Sequence, residues 1–428
     1  MPTISLAVIG AGNRGNIYSD FAILYPHKFK VIAVAEPNQE RREAFVAKHN
    51  IDRKMVFESY ETFFAKERVC DAVVVATQDD DHFQPVVQAL DSGYHVLVEK
   101  PMSPNLDECF EMVSKAVEQK KLLLLGYVLR YTPFFQKMKE LLVEGAIGNA
   151  RHISIDMNVG YWHQAHSFVR GNWRNAEKSS PMILAKSCHD FDIIQYLLES
   201  TSRKISSFGD LLYFTKDNAP LGSTERCLDC LVEEDCPYSA KKIYLQDNIG
   251  WPVNTISTDL SYEGRKVALE QGPYGRCVYQ CDNDVVDHQV VTMEFANKST
   301  ATLTMSGFTN KLERHISVLG TRGEMYGELS SNNLVVKEFG KKEEIYQVTP
   351  STFGGHAGGD FGIMEHFWKT LSLPSSEIPS NGEDTIFSHI YAHMAEASRL
   401  KGVTIDTEHF LTQLNRGSRE KKLTSLSQ

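Results

Sequence analysis

The sequence predicts an α/β protein whose N-terminal half is a parallel sheet covered by helices on both faces, followed by a second domain. Three observations predict this. Short apolar runs of strand length recur at residues 4–9, 30–35, 72–76, 94–98 and 122–125, and they alternate with stretches of helical pattern. The first run stops at a glycine turn that opens a helix. At 428 residues the chain exceeds one ordinary core, so about two domains follow from length.

Taken in order, Ile4-Ser5-Leu6-Ala7-Val8-Ile9 has strand composition and leads into Gly10-Ala11-Gly12-Asn13-Arg14-Gly15, at the spacing G-x-G-x-x-G. Gly10 permits a tight turn, Gly12 lets backbone approach a pyrophosphate, and Gly15 lets the next helix pack near the strand. That helix opens with free N–H groups and the positive end of its dipole. The pattern alone is weak; its position at the end of a strand makes it a dinucleotide signal. Residues 30–35 form a second buried strand ending at Glu36. A carboxylate there accepts from ribose hydroxyls and repels a 2′-phosphate, so NAD is expected over NADP. Arg41 and Arg42 would weaken that preference but read as solvated charges in the first turn of the next helix, Gln39 to His49.

Residues 72–76 are a buried strand ending at Thr77 and the acidic loop Asp79-Asp80-Asp81. A helix runs from about His82 to Ser92, and the strand at 94–98 ends at Glu99-Lys100-Pro101. Ser103 and Pro104 read as the cap and first-turn proline of another helix, and residues 122–125 give a last strand. Ligands of such sheets bind at the carboxyl ends of the strands. The candidate cofactor residues are therefore Gly10, Gly12, Asn13, Arg14, Gly15, Glu36, Thr77, His82, Glu99 and Lys100.

Net charge is −10 and pI about 5.9, which disfavours a nucleic-acid partner. No basic segment precedes an apolar run at the N-terminus, and no apolar run approaches the roughly 20 residues of a membrane span. The expectation is a cytoplasmic protein whose eight cysteines are thiols or metal ligands rather than disulfides.

The opening residues 7–15, with Glu99-Lys100-Pro101 downstream, resemble the Gfo/Idh/MocA oxidoreductases, the relatives of glucose–fructose oxidoreductase and inositol dehydrogenase. The resemblance continues through Arg130-Tyr131-Thr132-Pro133, Gly145-Ala146-Ile147-Gly148 and Gly320-Thr321-Arg322-Gly323-Glu324. It implies an N-terminal Rossmann domain and a C-terminal α/β domain with a large open, mostly antiparallel sheet. It also implies NAD(P)-linked oxidation or reduction of sugar and polyol hydroxyls, and a homodimer or homotetramer. The expected division is residues 1–126, then 127–415 with a cysteine-containing insertion at about 220–282, and a frayed polar tail at 416–428.

In the second domain, residues 133–144 read as a helix, and residues 384–400 as another. Val291, Met293 and Phe295 alternate with Thr292 and Glu294; Asn297-Lys298-Ser299 turns the chain; Ala301, Leu303 and Met305 alternate with Thr302 and Thr304. This is a hairpin with one apolar and one polar face. The resemblance implies that the polar face serves subunit contacts or the substrate cleft.

Three centres carry candidate chemistry. By the resemblance, Lys100 contacts the reacting hydroxyl; a cation there stabilises a developing alkoxide. Around Lys186-Ser187-Cys188-His189-Asp190-Phe191-Asp192, the family pattern has an aspartate four residues before the histidine. Here Ala185 stands in that position and Lys186 shares the helical face of His189. A lysine beside His189 should lower the histidine's pKa and keep it neutral as a base. Cys188 reads as a small buried residue. The second centre, residues 161–175, interleaves rings with donors. Trp162, His163, His166, Arg170 and Trp173, together with Asp192, are candidate sugar contacts; a packed loop is the plainer alternative, and a metal pair of His163 and His166 lacks a carboxylate. The third centre is Cys227, Cys230 and Cys236, with Cys277 or Cys281 downstream as a fourth ligand. This spacing suits a structural zinc, less an iron–sulfur cluster, or else free thiols. His288 and His356 could line the cleft or serve structure.

The leading expectation is an NAD-dependent oxidoreductase acting on a sugar, polyol or glycoside, with Lys100, His189 and Lys186 as catalytic residues. The rivals are redox-neutral glycoside cleavage through a transient keto-sugar, and a non-enzymatic dinucleotide sensor.

Overall fold

The alternating apolar runs form a six-stranded, wholly parallel sheet in the order β3-β2-β1-β4-β5-β6. A computed structural model describes residues 3–349, 355–380 and 382–414, with residues 382–384 as backbone only. In chain order the first layer comprises β1 (Ile4–Ile9), α1 (Asn13–Leu24), β2 (Phe29–Ala35), α2 (Gln39–His49), β3 (Val56–Phe57), α3 (Tyr60–Phe64), β4 (Ala72–Val75), α4 (Phe83–Asp91), β5 (His95–Val98), α5 (Leu106–Gln119) and β6 (Leu123–Leu125). The side chains of β4 are all buried, as a strand covered on both faces requires. The predicted strands and helices stand within one or two residues of these bounds. The cap of α5 differs: Asn105, not Ser103, accepts from the N–H of Asp107, and Ser103 instead accepts from the N–H of Asn105. Arg42 also differs. It is buried, donating to the carbonyls of Glu36 and Pro37, so it is not a solvated first-turn charge.

The rest of the chain builds α6 (Pro133–Val143), β7 (Ala150–Asn158), α7 (Tyr161–His163), α8 (Met182–Leu198), β8 (Ser202–Asp210), α9 (Ala240–Tyr244), α10 (Tyr262–Gln271), β9 (His288–Phe295), β10 (Thr300–Ser306), β11 (Glu313–Gly320), β12 (Gly323–Glu328), β13 (Asn333–Glu338), β14 (Glu344–Gln347), α11 (Gly359–Leu371), α12 (Gly382–Lys401) and β15 (Ile405–Asp406). α7 runs on into a wide π-helical stretch, Gln164–Arg170. The strands form a nine-stranded sheet, β14-β13-β12-β11-β7-β10-β9-β8-β15, antiparallel except where β7 meets β10. The predicted hairpin is β9–β10, with Thr300 opposite Glu294 and Lys298 at positive φ in the turn. Val291, Met293, Phe295, Ala301, Leu303 and Met305 are buried, whereas Thr292, Glu294, Thr302 and Thr304 between them are not. The tail expected at 416–428 lies outside the described residues.

Two packing facts position the site. α11, far along the chain, returns to the first layer: Phe361, Ile363, Met364 and Phe367 share a core with Leu6, Val8, Phe21 and Phe29. α12 lies over the Glu99–Pro101 loop, where His389 Nε2 accepts from the N–H of Met102 at 2.8 Å and Nδ1 meets the Tyr127 hydroxyl at 3.0 Å. α11, from the second part of the chain, thus covers the N-terminal sheet.

Between β8 and β9, residues 211–287 contain only short helices. They form a core of their own with Ala165 and Val169, built on Phe214, Tyr238, Tyr244, Val278 and Tyr279.

Candidate active site

The glycine turn is built as its residue types require. Gly10 has φ +89°, and a Cβ there would lie 2.6 Å from the Ala76 carbonyl; a Cβ on Gly15 would lie 2.1 Å from the Gly10 carbonyl. A Cβ on Gly12 would meet no atom within 4 Å, so this glycine faces open space. α1 begins there with no side-chain cap and no acidic residue in its first turn. Its first N–H groups and dipole are thus left for an anion. Asn13 is exposed at the mouth of this turn.

Glu36 closes the turn from β2. One oxygen accepts from the N–H of Ala11 at 2.8 Å, the other from the N–H of Asn38 at 2.9 Å. The carboxylate is buried, and its remaining lone pairs suit ribose hydroxyls. Arg42 is held on the carbonyls of Glu36 and Pro37. Thr77 donates to the carbonyl of Asp81 at 3.1 Å, and His82 Nδ1 pairs with the carbonyl of Pro101 at 2.8 Å while its buried Nε2 has no partner. These residues fit a dinucleotide.

Arg14 does something the spacing did not disclose. Its Nε donates to Glu99 at 2.5 Å, and its Nη2 to the Tyr18 hydroxyl and to Asp360 of α11, both at 2.7 Å. Against the upward pull of burial, the charges of Arg14 and Lys100 hold the Glu99 carboxyl below its ordinary range. Asp360 is likewise held low by His356 and Arg14 against burial.

Glu99 accepts from the N–H of Lys100 at 2.8 Å, and the Lys100 Nζ donates to the carbonyl of Ala185 at 2.8 Å. Ala185 lies one turn before His189 on α8, so lysine and imidazole share one end of the parallel sheet. His189 is buried, its Nδ1 without a partner, its ring 5.6 Å from Tyr127 and 6.3 Å from His356. Burial first, then the charges of Lys100 and Arg314, push its pKa well below that of free imidazole. That is the direction expected for His189, with Lys100 and Arg314, rather than Lys186, as the leading cations. Lys186 is itself pushed well below the ordinary lysine range by burial and by the charges of Arg314 and Lys100. It is a candidate base rather than a fixed cation.

The two parts of the chain match two family descriptions: "Oxidoreductase family, NAD-binding Rossmann fold" over residues 4–127, and "Oxidoreductase family, C-terminal alpha/beta domain" over residues 139–388. The chain belongs to the Gfo/Idh/MocA oxidoreductase family. YteT of Bacillus subtilis is 23% identical over 317 residues, covering 69% of this chain and 71% of that protein. The inositol 2-dehydrogenase of Rubrobacter xylanophilus is 25% identical over 242 residues, 52% of this chain and 64% of that one. The trans-1,2-dihydrobenzene-1,2-diol dehydrogenase of Mus musculus is 34% identical over 145 residues, 34% of this chain and 43% of that one. Apart from YteT, these matches span about half or less of the present chain. Among solved structures, an Agrobacterium radiobacter oxidoreductase in complex with NAD+, L-tartaric acid and magnesium has the same fold, with a TM-score of 0.70 at 16% identity over 95% of this chain and 99% of that one. No described helix is long and apolar enough to cross a membrane.

Within this Gfo/Idh/MocA chain, the six predicted sugar contacts do not stay together. Trp162 and His163 remain near the site: burial and then the charges of Lys186, His166 and Lys100 depress the His163 pKa. Trp251, from the segment between β8 and β9, packs on both, with ring centroids 5.4 Å from Trp162 and 4.8 Å from His163. The others turn elsewhere. Asp192 is buried in a two-point ion pair with Arg130, both contacts 2.6 Å. His166 stacks on Tyr274 and pairs with the Tyr244 hydroxyl at 2.9 Å, inside the core of residues 211–287. Trp173 donates to Asp79 at 2.8 Å, tying the second domain to the acidic loop after β4. Arg170 is fully buried in the same core as His166 and touches Cys227.

All eight cysteines are free thiols. Among the described residues, no three His, Cys, Asp or Glu side chains are arranged as a metal-holding group. The expected set therefore stands as thiols around a cavity, not as closed ligands. His288 pairs with Asp287 at 2.8 Å and His356 with Asp360 at 3.1 Å.

Arg314 and Asp360 are functional-site neighbours that the sequence reading passed over. Arg314 donates to the buried Asp190 at 2.7 Å and sets the field at His189 and Lys186. Neither lies in a recognisable motif; only the return of β11 and α11 to the site reveals them.

Proposed function

We propose that this oxidoreductase uses NAD rather than NADP and acts on a hydroxyl of a sugar, polyol or glycoside. One observation carries the reading: the Lys100 ammonium is anchored one turn before the buried His189 imidazole, beside the carboxyl ends of the parallel strands. The dinucleotide, when bound, supplies the hydride acceptor. His189 takes the hydroxyl proton, since a neutral base at working pH requires a depressed pKa. Lys100 stabilises the oxyanion that develops on the same oxygen. Trp162, His163 and Trp251 form the aromatic wall against which a sugar ring packs. Glu36 supports the choice of NAD. The eight free thiols accord with a cytoplasmic protein, and the polar face of the nine-stranded sheet is the surface on which we expect copies to pair.

The test is incubation with NAD across free sugars, polyols and glycosides, following both nicotinamide absorbance and carbohydrate products. Neither NADH nor a new product from any of them, with NAD demonstrably bound, would overturn the reading.

One observation favours a second mode. Lys186, three residues before His189 on α8, is a second buried basic group with a depressed pKa. A second base could take a C–H proton made acidic by an adjacent carbonyl, allowing elimination across a glycosidic bond. Glycoside cleavage without net NADH would identify it.

A further inference from the structure

The catalytic reading leaves the cysteine cluster unused. Cys227, Cys230, Cys236 and Cys277 line one small cavity of about 20 Å³ together with Arg170. That is room for about one atom. The backbone brings them together in two ways. An isolated antiparallel bridge between Arg226 and Arg276 lays the segment carrying Cys227 against that carrying Cys277. Tight turns then bring in the other two: the N–H of Cys230 donates to the carbonyl of Cys227, and that of Cys236 to Glu233. Cys281, the alternative fourth member, is turned away, its Sγ on the carbonyl of Cys277 at 3.2 Å.

The second observation is Arg170. Its side chain is fully buried, yet among the described residues no carboxylate pairs with it. Its Nε donates to the carbonyl of Arg276 and its Nη2 to that of Tyr238, both at 2.7 Å; Nη2 also lies 3.4 Å from Cys227 Sγ, and the buried Nη1 has no partner. A buried guanidinium without an anion is costly. The groups around it that can become anions are the thiols and the Tyr244 phenol, and burial pushes that phenol's pKa up, away from ionisation.

We propose that Cys227, Cys230, Cys236 and Cys277 bind one zinc ion as thiolates, with Arg170 as the buried cation that offsets the charge of the centre. Zn²⁺ with four thiolates carries a net charge of about −2, and Arg170 offsets part of it. Four thiol protons pass to solvent on binding, and no electron is transferred. The sulfurs stand around the cavity rather than closed on one point, so loading turns the thiol side chains inward. The ion staples a segment poor in regular structure, residues 211–287, onto the helical stretch that ends at Arg170. The same segment carries Trp251.

The test uses the full chain, expressed with zinc in the medium and purified reduced and without chelator. Elemental analysis is expected to find about one zinc per chain, and cobalt substitution to give tetrahedral thiolate bands. Cys230→Ser with Cys236→Ser is expected to abolish retention, whereas Cys281→Ser and Cys70→Ser retain the metal. Arg170→Met is expected to lower zinc affinity about 10-fold or more in chelator competition. Less than about a tenth of an equivalent of zinc in folded wild-type protein with four readily titrated thiols, or zinc retained by the double variant, would overturn the proposal. Bound iron with visible absorption would overturn it too. If the double variant does not fold, the wild-type metal count and the cobalt spectrum still decide.

Discussion

The ammonium of Lys100 donates to the main-chain oxygen of Ala185 across 2.8 Å, linking the end of β5 to the helix that carries His189. In the family pattern the aspartate belongs at residue 185; here Ala185 stands there and its main-chain carbonyl holds the lysine. Lys100→Ala is therefore expected to lower kcat at least ~10²-fold while leaving NAD affinity within a few-fold. His189→Asn should lower kcat by ~10²- to 10⁴-fold. Steady-state kinetics beside a coenzyme titration separates these outcomes; unchanged turnover in either variant would remove the residue from the mechanism.

Gly12 and Gly15 should respond differently to the same methyl group. Gly12→Ala meets nothing in the protein, so the urea midpoint should hold while NAD binding weakens about tenfold or more, about 1.4 kcal/mol. Gly15→Ala drives a Cβ into the Gly10 carbonyl and should cost ~1–3 kcal/mol of stability as well. Equal effects of the two on stability would contradict the geometry.

The buried histidines predict acid sensitivity. Burial pushes both His166 and His389 down to about 3 in the folded chain. Below pH ~6.5 the unfolded chain binds protons that the folded chain refuses, so stability falls as pH falls. Each of the two contributes about 1.4 kcal/mol per pH unit within that window. Urea unfolding at pH 7, 6 and 5 should show the decline, and a flat profile would refute it. The activity limb assigned to His189 should lie at more acid pH than that of an ordinary histidine, because the same burial keeps it deprotonated.

Asp192→Asn should act on stability alone. It leaves the Arg130 guanidinium without its carboxylate in a buried site and should cost about 3 kcal/mol. Replacing both partners with apolar residues should recover much of that loss. A variant with normal stability and a raised substrate KM would return Asp192 to the substrate.

Coenzyme choice rests on Glu36. Glu36→Gln removes the charge that repels a 2′-phosphate and should raise the NADP-to-NAD ratio of kcat/KM several-fold. NAD use itself should fall modestly, since the amide can still accept from Ala11 or Asn38.

What the sequence disclosed and what it withheld follow one physical line. The turn at Gly10–Gly15, the strand ending at Glu36 and the β9–β10 hairpin are dictated by neighbours a few residues away, so pattern alone reveals them. Residues 161–175 are different. Rings and donors look alike whether they meet a sugar or each other, and here His166 and Arg170 meet partners 78 and 57 positions downstream. Asp192 found Arg130, 62 positions upstream. The cap of α5 was missed because Ser103 and Asn105 both carry capping side chains, and only the backbone distinguishes them.

The parallel contact between β7 and β10 joins His152 to Thr300, residues 148 positions apart. The middle of the larger sheet therefore has no partner on that side until everything in between has been synthesised. During translation β7 must wait, its apolar residues unclaimed, while the cysteine-bearing segment emerges from the ribosome. Closing so long a loop favours slow maturation of this half and a period of vulnerability to self-association. The short-range windings of the first sheet are spared that delay.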